Sequence, residues 1–333
     1  MQYNLFPGSE QQVSRLGFGA MGLGGWFEAK DEAYMVRSVL LALERGVNLI
    51  DTARAYGDSE RIIGEALRQW KGERPFVATK LLAGAAPAGM LPGAGMHYPL
   101  PVETAYPPGS ITESAHASLR ELGVDAVDLL QLHTYWPQWD DADYWMEELI
   151  RLKEQGKARF IGISLPDHRH DLAYGLIRSG AIDSVQTVLN IFDSVALDSL
   201  VPICQQHDVA VIARVILDEG GLTGFLQADT EIPESDYRHN YFDVLPRQVY
   251  LDRVERLRSY IPEHAESLTE LAIRFAMQHP GVTTALTSMH RHDYAAENIA
   301  AAGKAPLDDA FFEKIKIRER WIRHFYHARR HLV

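Results

Sequence analysis

A single cysteine, Cys204, stands in a chain of 333 residues. One thiol cannot build an internal disulfide framework, and Cys204, in the apparent helix Leu200-Val201-Pro202-Ile203-Cys204, reads as a buried packing residue. Positive charge is also scarce: 33 Lys and Arg face 45 Asp and Glu, a net charge of −12. Nucleic acid and anionic membrane surfaces call for a basic patch, so neither is an expected partner. The one local basic excess, Arg318, Arg320, Arg323, Arg329 and Arg330, reads as a solvated helical face. No apolar run is long enough to span a bilayer. The first residues, Met1-Gln2-Tyr3-Asn4-Leu5, lack the basic region and apolar core of a signal peptide. A cytoplasmic protein is therefore expected. A Rossmann fingerprint is missing too: Gly17-Phe18-Gly19 has no third glycine and reads as a tight turn. Short-period repeats and linker-like breaks are absent, so residues 1–333 are expected to form one domain.

What the chain does have is alternation. Short β-rich runs alternate with helical stretches, the pattern of parallel strands in a barrel or a doubly wound sheet. The strand candidates are Leu16–Gly19, the run ending at Asp51, the run ending at Lys80, the run ending at His133, 159–163, Ser184–Val188, 209–213 and 282–286. Helical segments are read at about 32–45, 60–70 with Asp58 or Ser59 as cap, 143–155 ending at Gly156, and 293–302. Ser110-Ile111-Thr112-Glu113 has a capping-box pattern. Eight strands with intervening helices give one (β/α)8 TIM barrel. Segment 81–109 follows the third strand with six prolines, five glycines and one charged residue, Glu103. It is too long for a routine connection and too apolar for a disordered linker. A second long loop runs over 214–246, and 305–333 is a C-terminal extension.

Three apolar runs end on chemically useful side chains: Asp51, Lys80 and His133. Tyr56 follows Asp51 by five residues in Asp51-Thr52-Ala53-Arg54-Ala55-Tyr56-Gly57. In a βα barrel the C-terminal ends of the strands gather at one face, so these four can meet. Their order and the contexts Ala78-Thr79-Lys80 and Leu130-Gln131-Leu132-His133 resemble the Asp-Tyr-Lys-His tetrad of the aldo-keto reductases, over nearly the whole chain. The resemblance implies that Tyr56 donates a proton to a substrate carbonyl. Lys80 lowers the phenol's pKa from its ordinary ~10. Asp51 holds Lys80, and His133 orients the carbonyl.

No side chain supplies a hydride, so the resemblance implies a nicotinamide cofactor. Ser164 and Gln186 match the positions that hold the carboxamide. Arg214, Leu217, Gly220, Gly221 and Leu222 lie in the loop expected to cover the pyrophosphate, where glycines let backbone N–H groups come close. Ser288, His290, Arg291, Glu297 and Asn298 match the adenosine end. The family's stacking tyrosine is replaced by Leu189, and Ser164 is followed by Leu165-Pro166-Asp167. NADP(H) is expected ahead of NAD(H), with Arg291 reading the 2′-phosphate.

Trp26, Phe27, Tyr135 and Trp136 are expected to wall the substrate pocket, with Trp139 beside them and Trp321, Phe325 and Tyr326 on the far side. The substrate is expected to be a small carbonyl compound or a sugar. His168-Arg169-His170 reads as a solvated loop with no carboxylate partner and no metal. The competing reading is a redox-sensing regulatory subunit that binds cofactor with little turnover.

Overall fold

A computed structural model describes residues 1–27, 31–84, 100–234, 236–242 and 246–322. Most of the Pro/Gly-rich segment (85–99) and the tail (323–333), with Arg323, Phe325, Tyr326, Arg329 and Arg330, lie outside these residues. So do 235 and 243–245 of the second long loop.

The chain begins with an antiparallel hairpin, β1 (Tyr3–Leu5) and β2 (Gln12–Ser14). Eight parallel strands follow: β3 (Leu16–Gly19), β4 (Leu49–Asp51), β5 (Phe76–Leu81), β6 (Val127–Leu132), β7 (Ala158–Ser164), β8 (Ser184–Val188), β9 (Ala210–Arg214) and β10 (Thr284–Ser288). They pair in chain order, and β10 closes onto β3. The fold is the (β/α)8 TIM barrel. No helix among the described residues is long and apolar enough to cross a membrane.

Strand side chains alternate between faces. Ile50, Val77, Leu130, Ile161 and Val211 point to the surrounding helices. Leu49, Phe76, Ala78, Leu129, Phe160, Ala210, Ile212 and Leu286 form a separate interior cluster. Phe6 of the hairpin turn joins it, with ring centroids 4.9 Å from Phe76 and 4.6 Å from Phe160. The sequence reading did not pick out this hairpin. Its strands are three residues each, too short for a period to register. Moving toward the C-terminal ends of the strands, the inward positions change to Asp51, Lys80, Gln131 and Gln186. The apolar floor thus gives way to a polar mouth within one alternation.

Two helix starts depart from expectation. Helix Ser110–Leu122 is not closed by its own capping box. Glu148, from helix Tyr144–Glu154, accepts the N–H groups of Gly109 (2.6 Å) and Thr112 (3.0 Å), so a neighbouring helix satisfies the free amides. At helix Ser59–Gln69, Asp58 makes no side-chain cap. The Ser59 hydroxyl instead reaches the Ala20 carbonyl (3.0 Å) and Thr52 (2.8 Å), tying the ends of β3 and β4 together.

Candidate active site

Inward alternation at the ends of β4, β5, β6 and β8 brings Asp51, Lys80, Gln131 and Gln186 together. The Lys80 ammonium donates to Asp51 Oδ1 and to the Thr52 carbonyl, the latter at 2.9 Å. Asp51 Oδ2 accepts from Gln186 (2.9 Å) and Gln131 (3.2 Å). Lys80 and Asp51 are 1% and 2% exposed, so each charge depends on the other and on these amides. Burial is the largest influence on Lys80 and pulls its pKa down. The Asp51 charge, with Tyr56 beside it, outweighs that and leaves the ammonium above its ordinary value. Gln131 belongs to this group although the sequence pattern singles out only its neighbour His133. The signal for it was available: a polar residue at an inward, alternate position two before the strand-end histidine.

Tyr56 and His133 sit over this pair. Their rings meet edge to face at 5.5 Å, and Lys80 Nζ lies 5.0 Å from the Tyr56 ring centroid. Both residues are partly exposed. Tyr56 is fixed from the β3 side. A Cβ on Gly24 would lie 2.2 Å from the Tyr56 carbonyl oxygen, so only glycine permits that approach. Burial, then the charges of Lys80 and Arg214, lower the His133 imidazole to about 3. It is neutral near pH 7 and has an N–H to offer.

The residues expected around a dinucleotide occupy the ends of β7 to β10. Ser164 and Gln186 are paired positions on β7 and β8, both buried. Arg214 is not a free cation: it donates to the Leu165 carbonyl (2.8 Å) and pairs with Asp167 (2.7 Å). After β9 the chain makes a strained turn. Val215, Asp218 and Glu219 all have positive φ, and Gly220 has φ 92°. The N–H groups of Gly220, Gly221, Leu222, Thr223 and Gly224 are committed to carbonyls inside this turn. These amides are not a row of open donors, and a Cβ on Gly221 would lie 1.9 Å from the Tyr250 hydroxyl, so that glycine is required by packing within the protein. Leu217 packs against the core and Leu222 is buried. Ser288 bonds His290 Nδ1 at 2.6 Å, Asn298 donates to the Ser288 carbonyl, and Arg291 makes a two-pronged pair with Asp293 (3.0 and 2.8 Å). Glu297 is exposed on the following helix.

The expected pocket walls separate. Trp26 is 40% exposed. Phe27 turns away from the Tyr56–His133 pair, stacked on His290 (5.8 Å) and under the Arg238 guanidinium (5.1 Å). Arg238, not singled out in the sequence, also covers Phe225. Tyr135 has no exposed surface; it packs on Trp139 and Trp145 and donates to Asp140. Trp136 and Trp139 are buried as well. Trp321 packs on Phe192 and Tyr250. The expectation for the histidine loop is corrected. His168 Nδ1 (2.6 Å) and His170 Nε2 (3.0 Å) share the buried Asp193 carboxylate, and His170 Nδ1 meets Thr187 (2.8 Å). Asp193 arrives from the loop after β8, a partner that sequence spacing does not reveal. No group of three His, Cys, Asp or Glu among the described residues is placed to hold a metal.

A profile of the Aldo/keto reductase family matches residues 15–319. An NADH-specific methylglyoxal reductase of Escherichia coli is 28% identical over 299 residues, covering 87% of this chain and 90% of that protein. Among solved structures, a glycerol dehydrogenase from Gluconobacter oxydans superposes with TM-score 0.75 at 27% identity, over 95% of both chains. An aldo-keto reductase from Bacillus halodurans in its holo form gives 0.70 at 27% identity, over 96% of both.

Proposed function

This chain belongs to the aldo/keto reductase family, and from that premise we propose that it reduces an aldehyde or ketone to an alcohol, or runs the same step backwards on an alcohol or sugar, with Tyr56 as proton donor. Membership fixes the class: an NAD(P)-dependent oxidoreductase acting on a CH–OH/C=O couple. The observation that carries the residue roles is the Tyr56–His133 pair held over a buried Lys80–Asp51 ion pair.

The nicotinamide supplies the hydride when bound; the rest falls to the chain. The Tyr56 hydroxyl and the neutral His133 N–H both donate to one carbonyl oxygen and stabilise the charge that develops on it. The phenol proton then passes to that oxygen. The Lys80 ammonium stabilises the phenolate left behind, and Asp51, locked by Gln131 and Gln186, keeps Lys80 from turning away. The residues at the strand ends fit a dinucleotide. Ser164 and Gln186 offer a hydroxyl and an amide side by side, which suits a carboxamide. Arg214 and Arg238 border the turn at Gly220 and Gly221, each already paired with a carboxylate, Asp167 and Asp236. Ser288, His290, Arg291, Glu297 and Asn298 take the far end.

Preference for NADP(H) is not supported, since a similar protein is named as NADH-specific. The Arg291 charge is moreover answered by Asp293. We assign NADH as a cofactor this chain uses at least as well. The similar proteins' names put methylglyoxal and glycerol first among substrates to try. Tyr56→Phe should lower kcat by about 10²–10⁴ with NADH affinity unchanged; full activity in this variant would overturn the assignment. Tight NADH binding by a wild type that turns over no carbonyl or alcohol would favour the regulatory-subunit reading instead.

A further inference from the structure

We propose that Tyr106 is a positioning residue for His133, coupling the segment beyond the third barrel strand to the carbonyl-orienting imidazole; the inference rests on the reading of His133 given above. Strand β6 ends at Leu132, and the next backbone bond to β7 is Tyr135 N–H to the Ser164 carbonyl. Between them the His133 N–H has no strand acceptor. Tyr106 provides one: its phenol oxygen accepts the His133 N–H at 3.1 Å and, more weakly, the Thr134 N–H at 3.5 Å. A buried amide without an acceptor is costly, so the phenol oxygen decides where the backbone of residue 133 settles. The imidazole itself makes no hydrogen bond to another described residue, so backbone placement and the edge of Tyr56 set its direction.

Tyr106 is held firmly enough to act this way. It is fully buried and meets Trp139 edge to face at 5.5 Å. Its carbonyl accepts from the Tyr144 hydroxyl at 2.6 Å. The turn leading into it, Val102–Ala105, is pinned by Trp139 Nε1 donating to the Leu100 carbonyl (2.8 Å). Burial raises the Tyr106 phenol well above its ordinary value, so the ring stays protonated. Tyr106 touches no reacting atom. It works through the main chain of His133, and a shift there of an ångström is enough to degrade a hydride-acceptor geometry.

Tyr106→Phe keeps the ring against Trp139 and removes the acceptor. With NADH and methylglyoxal as probes, kcat should fall about tenfold, the worth of one positioning hydrogen bond, while NADH affinity stays unchanged. In a His133→Gln background the same change should add nothing, because its route runs through His133. Amide hydrogen exchange should accelerate in peptides covering 127–136. The same loss in both backgrounds, or an unchanged kcat with unchanged exchange, would overturn the proposal. A wild type without turnover would instead defeat the reading of His133 as an active-site residue, and the exchange measurement would then decide the Tyr106 contact by itself.

Discussion

The Asp51 carboxylate shows how one residue can be tolerated in a barrel interior and used there. Oδ1 takes the Lys80 ammonium, and Oδ2 takes two amides. A buried ion pair is stable only when its remaining lone pairs are satisfied, and Gln131 and Gln186 meet that condition without adding charge. Arg291 illustrates the reverse, a charge that is cancelled before any ligand arrives. Its guanidinium is held by Asp293 on two nitrogens. If the adenosine end lies where we propose, a carboxylate there would repel a 2′-phosphate and suit a 2′-hydroxyl. Asp293→Ser should therefore improve NADPH affinity relative to NADH by about tenfold, within the range of one charge-assisted bond. Titration of both cofactors into the variant checks this; an unchanged ratio would mean that this end of the cleft does not read the ribose.

Among the elements, the turn after β9 carries most of the strain. Three non-glycine residues between Val215 and Glu219 have positive φ, a conformation that side chains resist. Asp218 anchors it by accepting the hydroxyls of Tyr241 (2.8 Å) and Tyr250 (2.7 Å). Glu219 is the next residue of this turn and shares its positive φ. Burial, with Asp167 and Asp218 nearby, raises its carboxyl to about 7. A carboxyl raised in the folded state lends stability below its ordinary range, and that stability is lost as pH rises through about 7. A pyrophosphate beside it would favour the protonated form further. NADH affinity should accordingly weaken as pH climbs from ~6 to ~8, and Glu219→Gln should flatten that dependence. Equal pH dependence in both proteins, followed by fluorescence titration, would separate Glu219 from the cofactor.

The same scale explains what the sequence made legible. The strand Ser184–Val188 coincides with its expected range, and β7 and β9 fall within a residue of theirs, because each is a short segment rich in β-branched or aliphatic residues between turns. Strand β10 lies two residues later than expected. Val282 and Thr283 are apolar or β-branched, yet the ladder begins only at Thr284, and the shift carries the strand into Ser288. Asp51, Lys80 and His133 were visible because each closes a run. The partners of His168, His170 and His133 were not: Asp193 and Tyr106 come from other loops. Contact between loops is a property of the closed barrel and leaves no period in the chain.

Taken whole, the molecule divides its work between the two ends of the barrel. At the C-terminal end, polar residues point inward and the backbone is strained. At the N-terminal end the hairpin plugs an apolar floor: Phe6 is fully buried between Phe76 and Phe160. Asn4 ties the hairpin to the Val282 and Thr283 carbonyls (3.1 Å each), and Asn48 accepts the Ser14 N–H. The groove of about 650 Å³ at that end is lined by Arg74 and Arg159. Their guanidiniums both close on the buried Asp128 at 2.7 Å. These contacts hold strands together and present no reacting group. In a βα barrel that end is the place for stability. Phe6→Ala should then cost about 3–5 kcal/mol through the cavity it leaves, read as a lower denaturant midpoint with an unchanged slope. Below its melting range the variant should keep kcat and KM within about twofold of wild type, as expected for sites that share no partners. A large change in KM without a change in midpoint would mean that the floor shapes the mouth, and that the polar layer of Asp51, Lys80, Gln131 and Gln186 takes its geometry from the packing beneath it.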